Sequence, residues 1–158
     1  MKKRNTLTQL TLAALAVLVL AFSATAQEQK ITAKDVPAAI ITAFKNAYPN
    51  ATIRGYAKEK ENGKLHYEIE SVDGGTARDL LYNPDGTLAE TEETIAAGDL
   101  PANALQAIQA QYPRAVVTRA ERNTAGENVT YEVSARQGRR RISLEFDASG
   151  KVLKSHAR

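Results

Sequence analysis

Apolar residues along the chain change from helical to alternating spacing twice, at equivalent places in its two halves. The helical pattern comprises Val36, Ile40, Ile41, Phe44 and Tyr48 in the first half, and Leu100, Ala104, Leu105, Ile108 and Tyr112 in the second. Asp35 or Val36 is expected to cap the first helix, with Pro37 in its first turn, where a missing N–H costs little. Pro49 and Pro113 are expected to end the helices, because a residue before proline is pushed out of the α region.

After each Tyr-Pro pair the apolar spacing becomes two, which predicts strands. In the first half we expect strands near 51–59, 64–71, 77–83 and 87–95, with hairpin turns at Asn62-Gly63 and Gly74-Gly75. The second half has matching segments, the last near 151–157. Each half therefore predicts a helix followed by four strands, with one sheet face covered by the helix and the other face polar.

The two halves form an internal repeat with an offset of 64 residues, the difference between Tyr48-Pro49 and Tyr112-Pro113. Aligning 31–88 with 95–152 gives 14 identical residues in 58 pairs, where chance would give roughly 4. The predicted fold class is therefore α+β, with two tandem α-β-β-β-β repeats, residues 27–95 and 96–158, and an antiparallel sheet. The helices are expected to lie on one face of this sheet, which leaves an open, polar face.

Residues 1–26 have the pattern of a secretory signal peptide. A basic "MKKR" precedes the apolar run "LTLAALAVLVLAF", and the small residues Ala24-Thr25-Ala26 precede Gln27. The apolar run is shorter than the 18–20 or so residues of a membrane anchor, although an uncleaved anchor is the alternative. We expect a periplasmic or secreted protein with no stable membrane anchor after cleavage.

Charge and cysteine content narrow the function classes. Removing Lys2, Lys3 and Arg4 from the 21 basic residues leaves 18 against 18 acidic ones, so nothing favours a nucleic-acid partner. Residues 27–98 hold 8 basic and 12 acidic residues, and residues 99–158 hold 10 and 6. The basic run 139–141 could steer an acidic partner, lipid or polysaccharide. The interpretation we favour is that it pairs with the acidic half or protects a strand edge.

The repeated segment "DVPAAIITAFKNAYPNATI…YEIE…LLYNPDGTL" resembles the PepSY-like group that includes beta-lactamase-inhibitor-like exported proteins. The resemblance covers nearly the whole chain after residue 26. It implies one curved antiparallel sheet with helices on its convex side, and a concave side that, with nearby loops, binds a protein partner in related inhibitors. The chain departs from the beta-lactamase inhibitor itself in having no Cys and no Trp. No contact residue of that inhibitor is therefore carried over.

No set of residues in the sequence has the spacing of a catalytic or metal site. His66 and His156 are the only histidines, and neither has zinc or EF-hand spacing; we expect solvent-facing strand histidines. The serines lie in no nucleophile-elbow context, and there is no glycine-rich phosphate loop. We therefore predict no enzyme, no catalytic residues, no metal site and no cofactor.

The outward residues of the predicted strands form the candidate binding face. Its members are Arg54, Tyr56, Lys58, His66, Glu68, Glu70, Asp79, Leu81, Glu132, Arg141 and Glu145. Tyr56 and Leu81 are the expected anchors, since buried aromatic and apolar anchors dominate many interfaces. The alternative is an ordinary solvated face of an antiparallel sheet.

Two functions follow from this pattern. The first is an exported, non-enzymatic binding module that engages a protein of the envelope or medium through the open face, with inhibition as one form of that role. The second is a small-ligand or cation sensor of the periplasm. It would use the carboxylates Glu68, Glu70, Asp79, Asp85, Glu90, Glu92 and Glu93.

Overall fold

The structure, a computed structural model, describes residues 28–61 and 63–158. The predicted signal peptide and Asn62 of the first predicted hairpin lie outside these residues. In this part of the chain nine strands form a single antiparallel sheet in chain order, and two α-helices lie against it. The strands are β1 (Gln29–Lys30), β2 (Thr52–Glu61), β3 (Lys64–Asp73), β4 (Thr76–Tyr82), β5 (Leu88–Thr94), β6 (Val116–Ala125), β7 (Asn128–Gln137), β8 (Arg140–Asp147) and β9 (Val152–Ala157). The helices are α1 (Ala38–Ala47) and α2 (Ala102–Gln111).

The α+β fold with one helix and four strands per unit is confirmed, and the offset of 64 recurs in the structure. Helix α1 begins at residue 38 and α2 at residue 102, while β2 begins at residue 52 and β6 at residue 116. Even the irregularities repeat, since the register of β2 shifts between Ile53 and Gly55 and that of β6 between Val117 and Arg119. Strand β1 lies before the helix of the first unit and was not predicted. It pairs with β2 at the edge of the sheet.

The two units share one sheet, because β5 of the first unit pairs with β6 of the second. The register joins Thr91 with Thr124 and Thr94 with Glu121. A backbone hydrogen bond of 2.9 Å from Ile95 N–H to Ala120 O continues the pairing beyond β5. The repeats are therefore joined by backbone hydrogen bonds as well as by covalent connection.

The start of each helix differs from the sequence prediction. A short 3-10 turn, Ala33–Asp35, precedes α1, and Pro37 rather than Asp35 or Val36 is the residue that caps the α-helix. The Asp35 carboxylate instead accepts hydrogen bonds from the backbone N–H and hydroxyl of Thr32. Asp35 therefore stabilises the 3-10 turn. Proline at the cap costs no helical hydrogen bond, because the N–H that it lacks would have no partner within the helix.

Two hydrophobic clusters lie between the helices and the sheet. Helix α1 buries Ile40 and Phe44 against Ile69, Leu80 and Tyr82. Helix α2 makes the second cluster, whose buried members are Leu100, Ala104, Ile108, Tyr112, Ala120, Val133, Ala135, Ile142, Leu144 and Phe146. We call the side of the sheet under the helices the helix face and the opposite side the open face. The predicted alternation of β3, β7 and β8 agrees with this division.

Candidate binding surface

Directly paired residues of an antiparallel sheet point to the same side, so the register assigns each side chain to a face. Glu68 pairs with Leu81 and Glu70 with Asp79, while their neighbour Ile69 pairs with Leu80 in the core. The same reasoning applied to the other strands completes the set. Eight predicted residues lie on the open face: His66, Glu68, Glu70, Asp79, Leu81, Glu132, Arg141 and Glu145.

Tyr56 and Lys58 do not lie on the open face, and this part of the sequence prediction is wrong. Tyr56 pairs with Ile69 and packs against the first hydrophobic cluster, and Lys58 pairs with Tyr67 on the same side. The cause is the β-bulge between Ile53 and Gly55, which shifts the side-chain alternation of β2 by one residue.

Arg54 is the unpaired residue inside this bulge and is exposed. Gly55 was the signal for the shift, because an isolated glycine within a strand pattern often marks a bulge.

His66 lies on the open face as predicted but is not solvent-facing. Only 9 % of its surface is exposed, and its Nδ1 has no hydrogen-bond partner within the described residues. Glu59 is its cross-strand neighbour on β2. The histidine is therefore a buried polar group beside the carboxylates of this face.

A depression of about 480 Å³, which we call the acidic trough, lies in the middle of the open face. Its lining residues are Glu28, Glu59, Glu68, Asp79, Leu81, Glu90, Glu92, Arg119, Asn123 and Glu132. They come from both units and meet because β5 and β6 are neighbours. Glu68, Asp79, Leu81, Glu90, Glu92 and Glu132 were named from the sequence, whereas Glu28, Glu59 and Asn123 were not.

Carboxylates in the trough are partly removed from water and close to one another. Burial raises the pKa of Glu68 to about 7, and the nearby carboxylates of Asp79 and Glu28 contribute to the rise. Burial likewise raises the pKa of Glu92 to about 7, with Glu121 and Glu132 contributing. The pKa of Asp79 is also raised, mainly by burial. Near neutral pH the trough therefore holds carboxyl groups whose ionised form is unfavourable.

One arginine reaches into the trough, and it has a carboxylate partner of its own. Arg119 forms an ion pair with Glu121. Within the described residues Glu68, Asp79 and Glu92 form no ion pair. Asn123 is 8 % exposed, and its Oδ1 accepts no hydrogen bond within the described part of the chain. Glu68 and Glu92 therefore present partly buried carboxylates to the trough, and Asn123 presents a buried amide oxygen.

The basic run 139–141 does not pair with the acidic unit, contrary to the interpretation favoured from sequence. The Arg140 guanidinium lies 5.8 Å from the ring centroid of Tyr112, and Arg141 points to the open face. Nor does the run protect an edge, because β8 pairs on both sides. The ion pair that joins the two units is instead Glu93 with Arg122.

Metal binding has no support from the geometry of the described residues. Across 28–61 and 63–158, no three His, Cys, Asp or Glu side chains are placed to hold a metal ion. The small-ligand form of the sensor hypothesis stays a prediction. No helix in the same residues is long and apolar enough to cross a membrane.

The chain is similar to several solved structures and matches one protein family. None of the curated proteins matched the chain. The solved structures include a "BLIP-like protein" of Bacteroides fragilis with 23% identity, covering 77% of this chain and 86% of that one with a TM-score of 0.59. A DUF2874 family protein of Bacteroides uniformis has 15% identity, covers 77% and 89%, and has a TM-score of 0.63.

A periplasmic protein of Bacteroides eggerthii is similar at 19% identity, with coverage of 77% and 88% and a TM-score of 0.64. At these identities the likeness is one of fold. A family model described as "Putative beta-lactamase-inhibitor-like, PepSY-like" matches twice, over residues 23–90 and 66–154. Together the matches span most of the chain, and the protein belongs to this PepSY-like, beta-lactamase-inhibitor-like family.

Proposed function

We propose that this protein is an exported, non-enzymatic binding module that uses the acidic trough to engage a protein of the periplasm or medium. The partner presents lysine or arginine side chains to the trough. The observation that carries the proposal is the pair of half-buried carboxylates Glu68 and Glu92 in the trough, neither of which forms an ion pair within the described residues. A solvated sheet face would instead hold its carboxylates in water, with ordinary pKa values.

A cationic side chain would satisfy several groups of the trough at once. Its N–H donors would meet Glu68 and Glu92, whose pKa values of about 7 would fall toward the usual range as the cation approached. The unpartnered Oδ1 of Asn123 would accept a further hydrogen bond if its side chain turned toward the ligand. Leu81 offers apolar contact to the alkyl part of the incoming side chain.

The family supports the role of the face but leaves the identity of the partner open. The family description is inhibitor-like, and one similar structure is called BLIP-like. We propose inhibition of an exported enzyme as one form of the interaction, with the trough covering a basic part of that enzyme. Export rests on the sequence pattern of residues 1–26 together with similar proteins that are called periplasmic.

The proposal is tested by crosslinking the purified protein to envelope and medium extracts of its host. The variant Glu68→Gln with Glu92→Gln keeps the shape of the trough and removes two ionisable carboxyl groups. The control Asp99→Asn with Glu127→Gln removes two carboxylates that are exposed elsewhere. We expect wild type and control to capture the same partner and the trough variant to lose it by about tenfold or more. Equal capture by all three proteins, or no specific partner, would contradict the proposal.

A further inference from the structure

Three arginines stand side by side at the far end of the open face, away from the trough. Arg136 of β7 pairs with Arg141 of β8. Arg141 in turn exchanges two backbone hydrogen bonds with Arg158, of 2.9 and 3.0 Å. Neighbouring strands are about 4.8 Å apart, so the three arginine side chains are attached at adjacent backbone positions on one face.

This row of positive charge has no acidic counterpart. The ion pairs of the described residues involve Arg78, Arg119, Arg122 and Lys154, and none of the three arginines of the row. Like charges placed directly across neighbouring strands destabilise a sheet. The row is therefore an arrangement that folding alone does not favour, and an anion would neutralise it.

Hydroxyl groups lie next to the arginine row and complete a pocket of about 430 Å³. Two residues further along each strand, on the same face, Ser134 pairs with Ser143, and Ser143 pairs with His156. Neither serine hydroxyl forms a hydrogen bond within the described residues, so both can donate to a ligand. No acidic residue of the described chain lines the pocket.

His156 helps to hold one arginine in place. The Arg158 Nε–H donates to His156 Nε2 at 2.9 Å. The side chain of Arg158 is thereby tied back along β9. Its terminal guanidinium nitrogens remain available to an anion in the pocket.

We propose that this pocket binds an oxyanion of the phosphate or sulfate class carried on a small organic body. Guanidinium groups bind such anions through paired N–H donors, and serine hydroxyls supply further donors around the same oxygens. The volume falls within the range of about 300–1,000 Å³ found for small-molecule sites. The pocket can therefore hold an organic group together with the anion. This site goes beyond the proposed protein binding and uses none of the trough residues.

The test is a titration of isotopically labelled protein with inorganic pyrophosphate and with glucose 6-phosphate at constant ionic strength. We expect saturable shifts of the amide signals of β7, β8 and β9. The variant Arg136→Gln with Arg141→Gln should bind at least about tenfold more weakly, without a lower melting temperature. The control Arg114→Gln with Arg139→Gln removes two exposed arginines outside the pocket and should bind within about twofold of wild type.

A vesicle arm distinguishes free phosphates from lipid headgroups. Sedimentation with phosphatidylglycerol vesicles, against phosphatidylcholine, shows whether the same variants control lipid binding. Weaker binding of the pocket variant to either the soluble phosphates or the phosphatidylglycerol vesicles supports the site. No saturable binding of any probe, or equal weakening in the pocket and control variants, would overturn it. The Glu68→Gln, Glu92→Gln protein should keep anion binding, which separates this result from the fate of the proposed function.

Discussion

The two tyrosines that precede proline have the same place in the repeat but different surroundings. Tyr112 is 8 % exposed, and its hydroxyl lies 3.3 Å from Ser155 Oγ of β9 on the helix face. Tyr48 is half-buried, lies 5.7 Å from the ring of Phe44, and is covered by the guanidinium of Arg78 at 5.5 Å. Both rings close the end of a helix against the sheet, so their main contribution is to stability.

We expect Tyr112→Ala to lower the free energy of unfolding by about 3 kcal/mol, because it removes a buried ring from the second cluster. Tyr48→Ala should cost less, because part of that ring is already in water. Tyr112→Phe, the matched control, loses only a long hydrogen bond and should cost about 1 kcal/mol or less. Urea unfolding followed by circular dichroism measures all three. Equal effects of the alanine and phenylalanine changes at residue 112 would argue against a packing role.

Gly150 explains why glycine recurs before the last strand of each unit. Its φ is +83°, and a Cβ at this position would lie 2.6 Å from the backbone nitrogen of Ala104 at the start of α2. Gly86 has the same role beside Ala39 in the first unit. The turn and the helix start can therefore touch only if this residue has no side chain.

Gly150→Ala should destabilise the protein by about 2–4 kcal/mol, from backbone strain together with the close contact. Gly126→Ala is the control, because φ there is also positive, at +60°, but no atom lies within 4 Å of the added Cβ. Its cost should be about 1 kcal/mol. Thermal unfolding of the two variants compares them directly, and a similar loss at both sites would remove the packing explanation.

At the scale of elements, one carboxylate adds an ion pair to the backbone pairing that joins the units. Glu93 of β5 accepts from Arg78 of β4 at 2.6 Å and from Arg122 of β6, on the helix face. Only 15 % of the Glu93 side chain is exposed. The carboxylate and its partner Arg78 are thus mostly desolvated, whereas Arg122 is 47% exposed, so removing the charge of Glu93 leaves the Arg78 guanidinium without compensation.

Glu93→Gln should lower stability by about 1–3 kcal/mol for that reason. Glu145→Gln is the comparison, since Glu145 pairs with a Lys154 whose side chain is 79% exposed. Surface pairs of this kind contribute about 0–1 kcal/mol. Chemical denaturation with two probes, one near each cluster, measures both the loss and whether the units still unfold together. A loss at residue 145 as large as that at residue 93 would contradict the assignment.

At the scale of the whole molecule, the trough makes stability depend on pH. Glu68 and Glu92 have folded-state pKa values of about 7, above the ordinary value of 4.5. Between these values the folded state binds more protons than the unfolded state, so stability decreases as pH rises. The lowered pKa values of Asp35, Asp85 and Asp147 act in the opposite direction, but only near and below their ordinary value of 3.8.

We therefore expect the melting temperature to fall as pH increases from about 5 to 8, and the fall to be smaller in the Glu68→Gln, Glu92→Gln protein. The variant should also be the more stable of the two at pH 8. Calorimetric scans across this range provide the measurement. Parallel curves for wild type and variant would show that other groups control the dependence.

The sequence predicted more of the fold than of the site. Helix and strand types followed from spacing, and the repeat from identities, because both depend on residues close in sequence or on a fixed offset. Tyr56 and Lys58 were assigned to the wrong face because a bulge beside Gly55 reverses the alternation. The trough was only partly found, since Glu28, Asp79 and Asn123 meet through pairing of strands distant along the chain.

The amino-acid sequence by itself determined the duplicated unit, the helix that covers one face of each half, and the absence of cysteine and tryptophan. Tertiary structure alone decided that β5 joins β6 in one continuous sheet and that carboxylates of both halves converge. It also decided that Arg136, Arg141 and Arg158 align in a row. The physical reason is that periodicity reports which face a residue occupies within its own strand. Register, bulges and burial are determined by backbone pairing between strands, and they decide which charges become neighbours.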